Sequence, residues 1–170
     1  MPSTYEPIAT TTLGSATGSI TFSSISSSYT DLRLVLSCSG VANADSVILQ
    51  FNSDTGTNYS YTWLLGPGSN PAVSGRASAQ SYSRVTPDYG ISTANTPFFV
   101  TSDIFSYSGS TKKALLSLGS IDLNGVNGNT VRTAGLWNSS SAIDTIKIFT
   151  SGSNNLNAGT IATLYGIKAA

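Results

Sequence analysis

The segment Ile146-Lys147-Ile148-Phe149-Thr150 places one charged side chain between two apolar ones. Successive side chains of a β-strand point to opposite faces, so this alternation puts Ile146 and Ile148 on a buried face and Lys147 on a solvent face. The segment Asp31-Leu32-Arg33-Leu34 repeats the pattern earlier in the chain. No part of the sequence shows a sustained helical period, so the local signal is that of half-buried strands.

Further segments have the same alternation or a high content of β-branched residues, and turn residues separate them. Asn124-Gly125 is one such turn, because both residue types tolerate positive φ. Short strands at this spacing predict an all-β fold, a two-sheet antiparallel sandwich with a jelly-roll-like topology. The predicted strands are Ile8–Leu13, Ser19–Phe22, Asp31–Cys38, Ser46–Phe51, Tyr59–Leu65, Phe98–Tyr107, Lys112–Ile121, Thr130–Trp137, Ala142–Thr150 and Gly159–Ile167.

Length and composition predict one domain. The chain has 170 residues, with 30 Ser, 21 Thr and 12 Asn but a single Glu, and short polar side chains disfavour helix interiors. We expect an N-terminal arm at Met1–Pro7 and a single β-sandwich domain at 8–170. A long loop at about 66–97 holds four of the six prolines, and proline removes a donor from a strand ladder.

The sequence offers little material for catalysis, and we expect no enzyme, cofactor or metal. Histidine is absent, which removes Ser-His-Asp and Cys-His arrangements. Asp54-Thr55-Gly56 matches the aspartic-protease triplet, but it lies in a polar loop and a tight turn explains it better. The loop Asn52–Asn58 is oxygen-rich yet has one carboxylate, fewer than calcium usually takes. Cys38 lies in an alternating run, which favours a buried structural thiol.

Charge and hydropathy exclude two classes of partner. The formal net charge is +0 with 9% charged residues, and no basic patch marks a nucleic-acid binder. No apolar run is long enough for a membrane span, and Met1–Pro7 lacks the features of a signal peptide. We therefore expect a protein that is made in a cytoplasm and contacts neither nucleic acid nor membrane.

Two segments are candidates for contact with a partner protein. The arm Met1–Pro7 carries Tyr5, and the long loop carries arginines and tyrosines, residue types enriched at interfaces. The predicted partner-binding residues are Tyr5, Arg76, Tyr82, Arg84 and Tyr89.

The strand aromatics Trp63, Trp137 and Tyr61 have two interpretations. Exposed on a sheet face they would stack on sugar rings, and buried they would fill the core. Burial of large apolar side chains stabilises a fold strongly, which favours the core.

Five phrases of the sequence resemble a family of small virion proteins from tailed phages, best represented among phages of cyanobacteria and other aquatic bacteria. The resemblance extends over about half of the chain, and the part from Gly66 to Pro97 matches least. The phrases are Phe51–Tyr61, Asp103–Tyr107, Gly109–Lys112, Gly135–Trp137 and, most specific of all, Ala158–Lys168.

This resemblance implies a structural component of the virion, made in the host cytoplasm. The expected function is that of a capsid cement or decoration protein, which binds the outer capsid surface as a symmetric oligomer. Its partners would be the major capsid protein and copies of itself, with a homotrimer expected. A tail-fibre or receptor-binding head that recognises host surface glycan is the alternative, and a polysaccharide hydrolase with paired aspartates is a distant third. The family brings no catalytic residues.

Overall fold

The computed structural model describes residues 4–38, 45–68, 70–86, 97–122 and 128–168. Those residues contain strands and no helix, so none of them forms a helix that could cross a membrane. The all-β prediction is confirmed. The strands are β1 (Tyr5–Thr12), β2 (Ser19–Phe22), β3 (Asp31–Cys38), β4 (Val47–Phe51), β5 (Tyr59–Pro67), β6 (Val73–Gln80), β7 (Ser83–Arg84), β8 (Phe98–Phe105), β9 (Lys113–Asp122), β10 (Gly128–Trp137), β11 (Ile146–Thr150) and β12 (Ile161–Ile167).

Two antiparallel sheets contain all of these strands. The large sheet has the order β1-β12-β3-β8-β9-β10-β5-β6, and the small sheet has the order β2-β11-β4-β7. An eight-stranded jelly roll has two four-stranded sheets with the strand orders seen in β1-β12-β3-β8 of the large sheet and β2-β11-β4-β7 of the small sheet. The other four strands, β9, β10, β5 and β6, continue the large sheet beyond β8.

The core lies between the two sheets, where alternate residues of each strand meet. The inner face of β3 contributes Leu32, Leu34 and Leu36, each at most 1% exposed. Ile146 and Ile148 of β11 face them from the small sheet and are fully buried, while Lys147 between them is only partly buried. The period-2 pattern therefore identified the buried face of both strands.

Two expectations about segments need correction. Residues 5–7 of the expected arm belong to β1, where Tyr5 pairs with Ile167 and Pro7 with Tyr165. Part of the expected loop at about 66–97 also forms strands, because β6 pairs with β5 and β7 pairs with β4. Residues 87–96 of the expected loop lie outside the described residues. Both β1 and β6 are edge strands, so each needs backbone bonds on one side only, and β1 tolerates Pro7 for that reason.

The strand predicted at Ala142–Thr150 begins later, at Ile146. The side chain of Asn52 explains the difference. Its Oδ1 accepts hydrogen bonds from the amides of Asp144 and Thr145, and its Nδ2 donates to the carbonyl of Ala142 at 2.7 Å. These bonds occupy backbone groups that a strand ladder would otherwise use. The turn predicted at Asn124-Gly125 lies outside the described residues.

Candidate interaction surface

The outer face of the large sheet is the surface on the side opposite the small sheet. Its side chains form rows across the strands, because partners in register point the same way. The central row crosses all eight strands and contains, from β6 to β1, Ser74, Leu64, Arg132, Leu118, Thr101, Val35, Thr163 and Thr10.

Large apolar side chains on this face are open to solvent. Leu64 is 57% exposed, Leu118 56% and Phe99 55%. Eight of the nine exposed large hydrophobic residues of the described chain lie on the outer face. They are Tyr5, Val35, Leu64, Phe99, Phe105, Leu118, Leu136 and Ile161.

The ninth, Val73, pairs with the buried Leu65 at the start of β6 and so belongs to the opposite side of the sheet. Shallow depressions lie between the outer apolar side chains. One, of about 480 Å³, is bordered by Val35, Phe99 and Leu118.

Few charges interrupt the outer face. Arg33 and Asp103 lie in register on β3 and β8 and form a bidentate ion pair with N–O distances of 2.6 and 2.8 Å. The Asp103 carboxylate raises the pKa of Arg33, although partial burial acts against it. The Arg33 guanidinium also lies 5.4 Å from the centre of the Tyr5 ring. Arg132 is exposed, and no carboxylate of the described chain pairs with it.

The predicted partner-binding residues fall into separate places. Tyr5 lies on β1 and Arg76 on β6, at opposite edges of the outer face. Tyr82 and Arg84 lie elsewhere, beside Tyr61: the Tyr61 and Tyr82 rings stack with centroids 6.4 Å apart, and the Arg84 guanidinium is 5.4 Å from the Tyr61 ring centre. Tyr89 is outside the described residues.

Two of the three strand aromatics, Trp137 and Tyr61, are buried as the core interpretation predicts. Trp137 is 2% exposed and Tyr61 is 6% exposed, and Trp137 packs against Phe51 with ring centroids 5.5 Å apart. Trp63 is half-buried and its ring lies over Gly75. None of the three side chains lies on the outer face.

Cys38 is buried, as its alternating run predicts. The thiol is 1% exposed, and burial raises its pKa to about 12. Among the described residues, no three of the His, Cys, Asp and Glu side chains are grouped closely enough to hold a metal ion.

The loop between β4 and β5 is organised by Asp54, the aspartate of the protease-like triplet. Asn52 and Ser53 have φ of 51° and 57°, and the Asp54 amide donates to the carbonyl of Phe51 at 2.9 Å, which closes a tight turn. The Asp54 carboxylate accepts hydrogen bonds from the Gly56 amide at 2.9 Å and the Trp137 indole at 2.7 Å. The Asp54 carboxylate oxygens therefore accept hydrogen bonds that hold the loop in place, in agreement with the prediction that Asp54-Thr55-Gly56 belongs to a tight turn.

Comparison with known proteins shows no family. No family model matches the chain, and no curated protein matches it. Among solved structures, a protein of unknown function from Shewanella oneidensis is similar over 98% of this chain and 77% of its own, with 9% identity and a TM-score of 0.24. A likeness at that level supports no conclusion about fold or function.

Proposed function

We propose that this chain is a structural protein of a tailed-phage particle, a capsid cement or decoration protein that works by adhesion to neighbouring subunits. The observation that carries the adhesive role is the outer face of the large sheet, where eight large apolar side chains are exposed on one surface. Monomeric proteins rarely expose apolar patches of more than a few hundred Å², and larger ones mark interaction sites. The placement on a phage particle is carried by the sequence phrases, above all Ala158–Lys168.

The charge balance supports assembly into a crowded shell. Eight basic and eight acidic residues give a formal net charge of +0. Neighbouring copies of such a chain do not repel one another at long range. Ion pairs such as Arg33–Asp103 and Lys168–Glu6, with N–O distances of 2.6 and 2.8 Å, satisfy charges within one copy.

The glycan-binding alternative has less support from the surface. Sugar recognition combines a stacking aromatic ring with hydrogen-bonding side chains that fix orientation. Trp137 and Tyr61 are buried, and Phe99 is surrounded on the outer face by aliphatic and hydroxyl side chains such as Val35, Leu118 and Ser120. We therefore place adhesion to protein ahead of adhesion to sugar.

Copy number in the particle tests the proposal. Quantitative mass spectrometry of purified particles of the encoding phage, calibrated against the major capsid protein, should give hundreds of copies for a capsid component. A few dozen copies or fewer would assign the chain to a tail or fibre, and its absence from the particle would refute the virion role. A glycan array with the purified chain tests the alternative directly, and specific binding to a host surface glycan would favour it.

A further inference from the structure

We infer that the outer face of the large sheet is the contact surface between two copies of this chain, packed face to face about a two-fold axis. The inference rests on the proposed adhesive function and names the partner that covers this face. That partner is a second copy of the same chain.

Area is the first argument. Eight strands about 4.8 Å apart, each presenting about seven residues at 3.3 Å per residue, form a face of roughly 35 by 23 Å, or about 800 Å². A standard stable interface buries about 800 Å² on each partner. The face therefore offers the area that a stable dimer needs, without a contribution from any other surface.

Composition is the second argument. Homodimer interfaces are more apolar than the general surface and poor in charge at their centre. The central row of the face has Leu118 and Thr101 at its middle, on β9 and β8, with Val35 and Arg132 on either side. Leu118 lies beside Arg132 in register, and its side chain is 56% exposed in the single chain. It is therefore available to pack against a second subunit.

Symmetry is the third argument, because the outer face can cover a second copy of itself about a two-fold axis. The midpoint of the eight strands lies between β8 and β9. In a face-to-face pair whose axis runs along the strands at that midpoint, β10 of one copy lies over β3 of the other. The half of the face that carries the exposed Arg132 then meets the half in which Arg33 and Asp103 already neutralise each other.

A face that covers its own copy makes an isologous contact, which closes at two subunits. The homotrimer implied by the family resemblance would need a head-to-tail contact between two different surfaces. Subunit number therefore distinguishes the two arrangements.

Sedimentation equilibrium of the full chain tests the inference. The wild-type chain should be a dimer at about 50 µM, and Leu118→Asp should weaken self-association by at least about 30-fold, the effect of losing an interface hot spot. Phe99→Asp tests the face independently on β8. Val73→Asp is the matched control, since Val73 is 46% exposed but belongs to the opposite side of the sheet, and it should remain a dimer.

Circular dichroism and thermal melting establish that each variant is folded, and Leu118→Ser replaces the aspartate variant if that one unfolds. A monomeric or trimeric wild-type chain, or a Leu118→Asp chain that still dimerises, would overturn the inference. These outcomes are independent of copy number in particles. A wild-type monomer found in hundreds of copies per particle would refute the dimer and leave the proposed function standing.

Discussion

The side chain of Asp54 shows how one residue orders a whole loop. Three donors point at its carboxylate: the Gly56 amide, the Asn58 side-chain amide at 2.9 Å and the Trp137 indole. Partial burial acts to raise the pKa of Asp54, but the hydrogen bonds outweigh it and the pKa lies below its ordinary value of 3.8. The charged form is therefore the one that stabilises the folded chain.

We expect Asp54→Asn to lower the free energy of unfolding by about 1–2 kcal/mol at pH 7, because a charged acceptor is replaced by a neutral amide that brings donors of its own. The native pKa is depressed, so the advantage of the wild type is complete above the unfolded-state pKa and is lost as the pH falls through the native pKa. Urea unfolding at pH 7 and at about pH 2.5 measures this. The exposed Asp144→Asn is the control, and an Asp54→Asn effect that is equal at both pH values would contradict the role of the charge.

Lys113 is the second residue whose position has a measurable consequence. It is fully buried, and its ammonium group donates to the carbonyl of Gly109 at 2.6 Å and to the carbonyl of Thr111. Burial lowers its pKa. Lys113→Met keeps the stem but leaves both carbonyls without this donor, so we expect a loss of about 1–3 kcal/mol of unfolding free energy.

The neighbouring Lys112 is exposed and provides a matched control. Lys112→Met should change the stability by less than about 0.5 kcal/mol, as surface substitutions usually do. Equal urea midpoints for the two variants would show that the Lys113 contacts contribute nothing. The sequence does not distinguish the two lysines, because both stand at the start of the same predicted strand.

At the scale of strands, the position of a strand can be predicted from the sequence when one of its faces is buried and the other is exposed. The alternation in β3 and β11 follows from burial on one side. The bounds of β3 agree with the prediction, and β11 ends at the predicted residue but begins four residues later. The edge strand β6 has mostly exposed side chains, among them Ser74, Arg76 and Ser78, and the hydrophobic effect leaves no period in such a segment. Only its pairing with β5 orders it, and pairing is a property of the sheet and not of the segment.

The apolar outer face cannot be predicted from single segments of the sequence, for a related reason. Leu64, Leu118 and Phe99 come from three strands, and only the register of the sheet brings them to one surface. A signal was nevertheless present in β9, where Leu115, Leu116 and Leu118 make both faces of one strand apolar. A strand that is apolar on both faces indicates that both are covered, and the small sheet covers only one.

The close approach of β8 and β9 gives a prediction at this scale. A Cβ added at Gly119 would lie 2.4 Å from Cζ of Phe98, which is 1% exposed and cannot move into solvent. We expect Gly119→Ala to cost about 1–3 kcal/mol of unfolding free energy through overpacking. Gly14→Ala, where nothing lies within 4 Å, is the control and should be neutral.

Combining Gly119→Ala with Phe98→Leu tests the mechanism. The smaller side chain relieves the clash, so the double variant should be more stable than the sum of the two single losses predicts. Strict additivity in urea unfolding would show that the cost arises from the strand backbone and not from the ring.

At the scale of the whole molecule, four added strands change what a jelly roll can present. The eight strands of the roll place four of theirs on each sheet, whereas β9, β10, β5 and β6 double the width of one sheet only. The small sheet keeps four strands, whereas the large sheet has eight. The result is a broad outer face that includes Val35 of the roll and Leu64 of the extension in a single row.

The salt dependence of self-association follows from the charges of the whole chain. Charged residues make up 9% of the sequence, and the formal net charge is +0. Most of the outer face consists of apolar and hydroxyl side chains. Long-range electrostatic attraction between copies is then weak, so added salt has little attraction to screen.

We expect the dissociation constant of the dimer to change by less than about threefold between about 0.05 and 0.5 M NaCl. Sodium sulfate should tighten the association, since it strengthens apolar burial. Titration calorimetry of dimer dissociation should show the heat-capacity change of apolar surface, negative for association. A tenfold weakening across the NaCl range would instead mean that ion pairs between copies hold the assembly, and the contact would then have to be sought among charged residues away from the outer face.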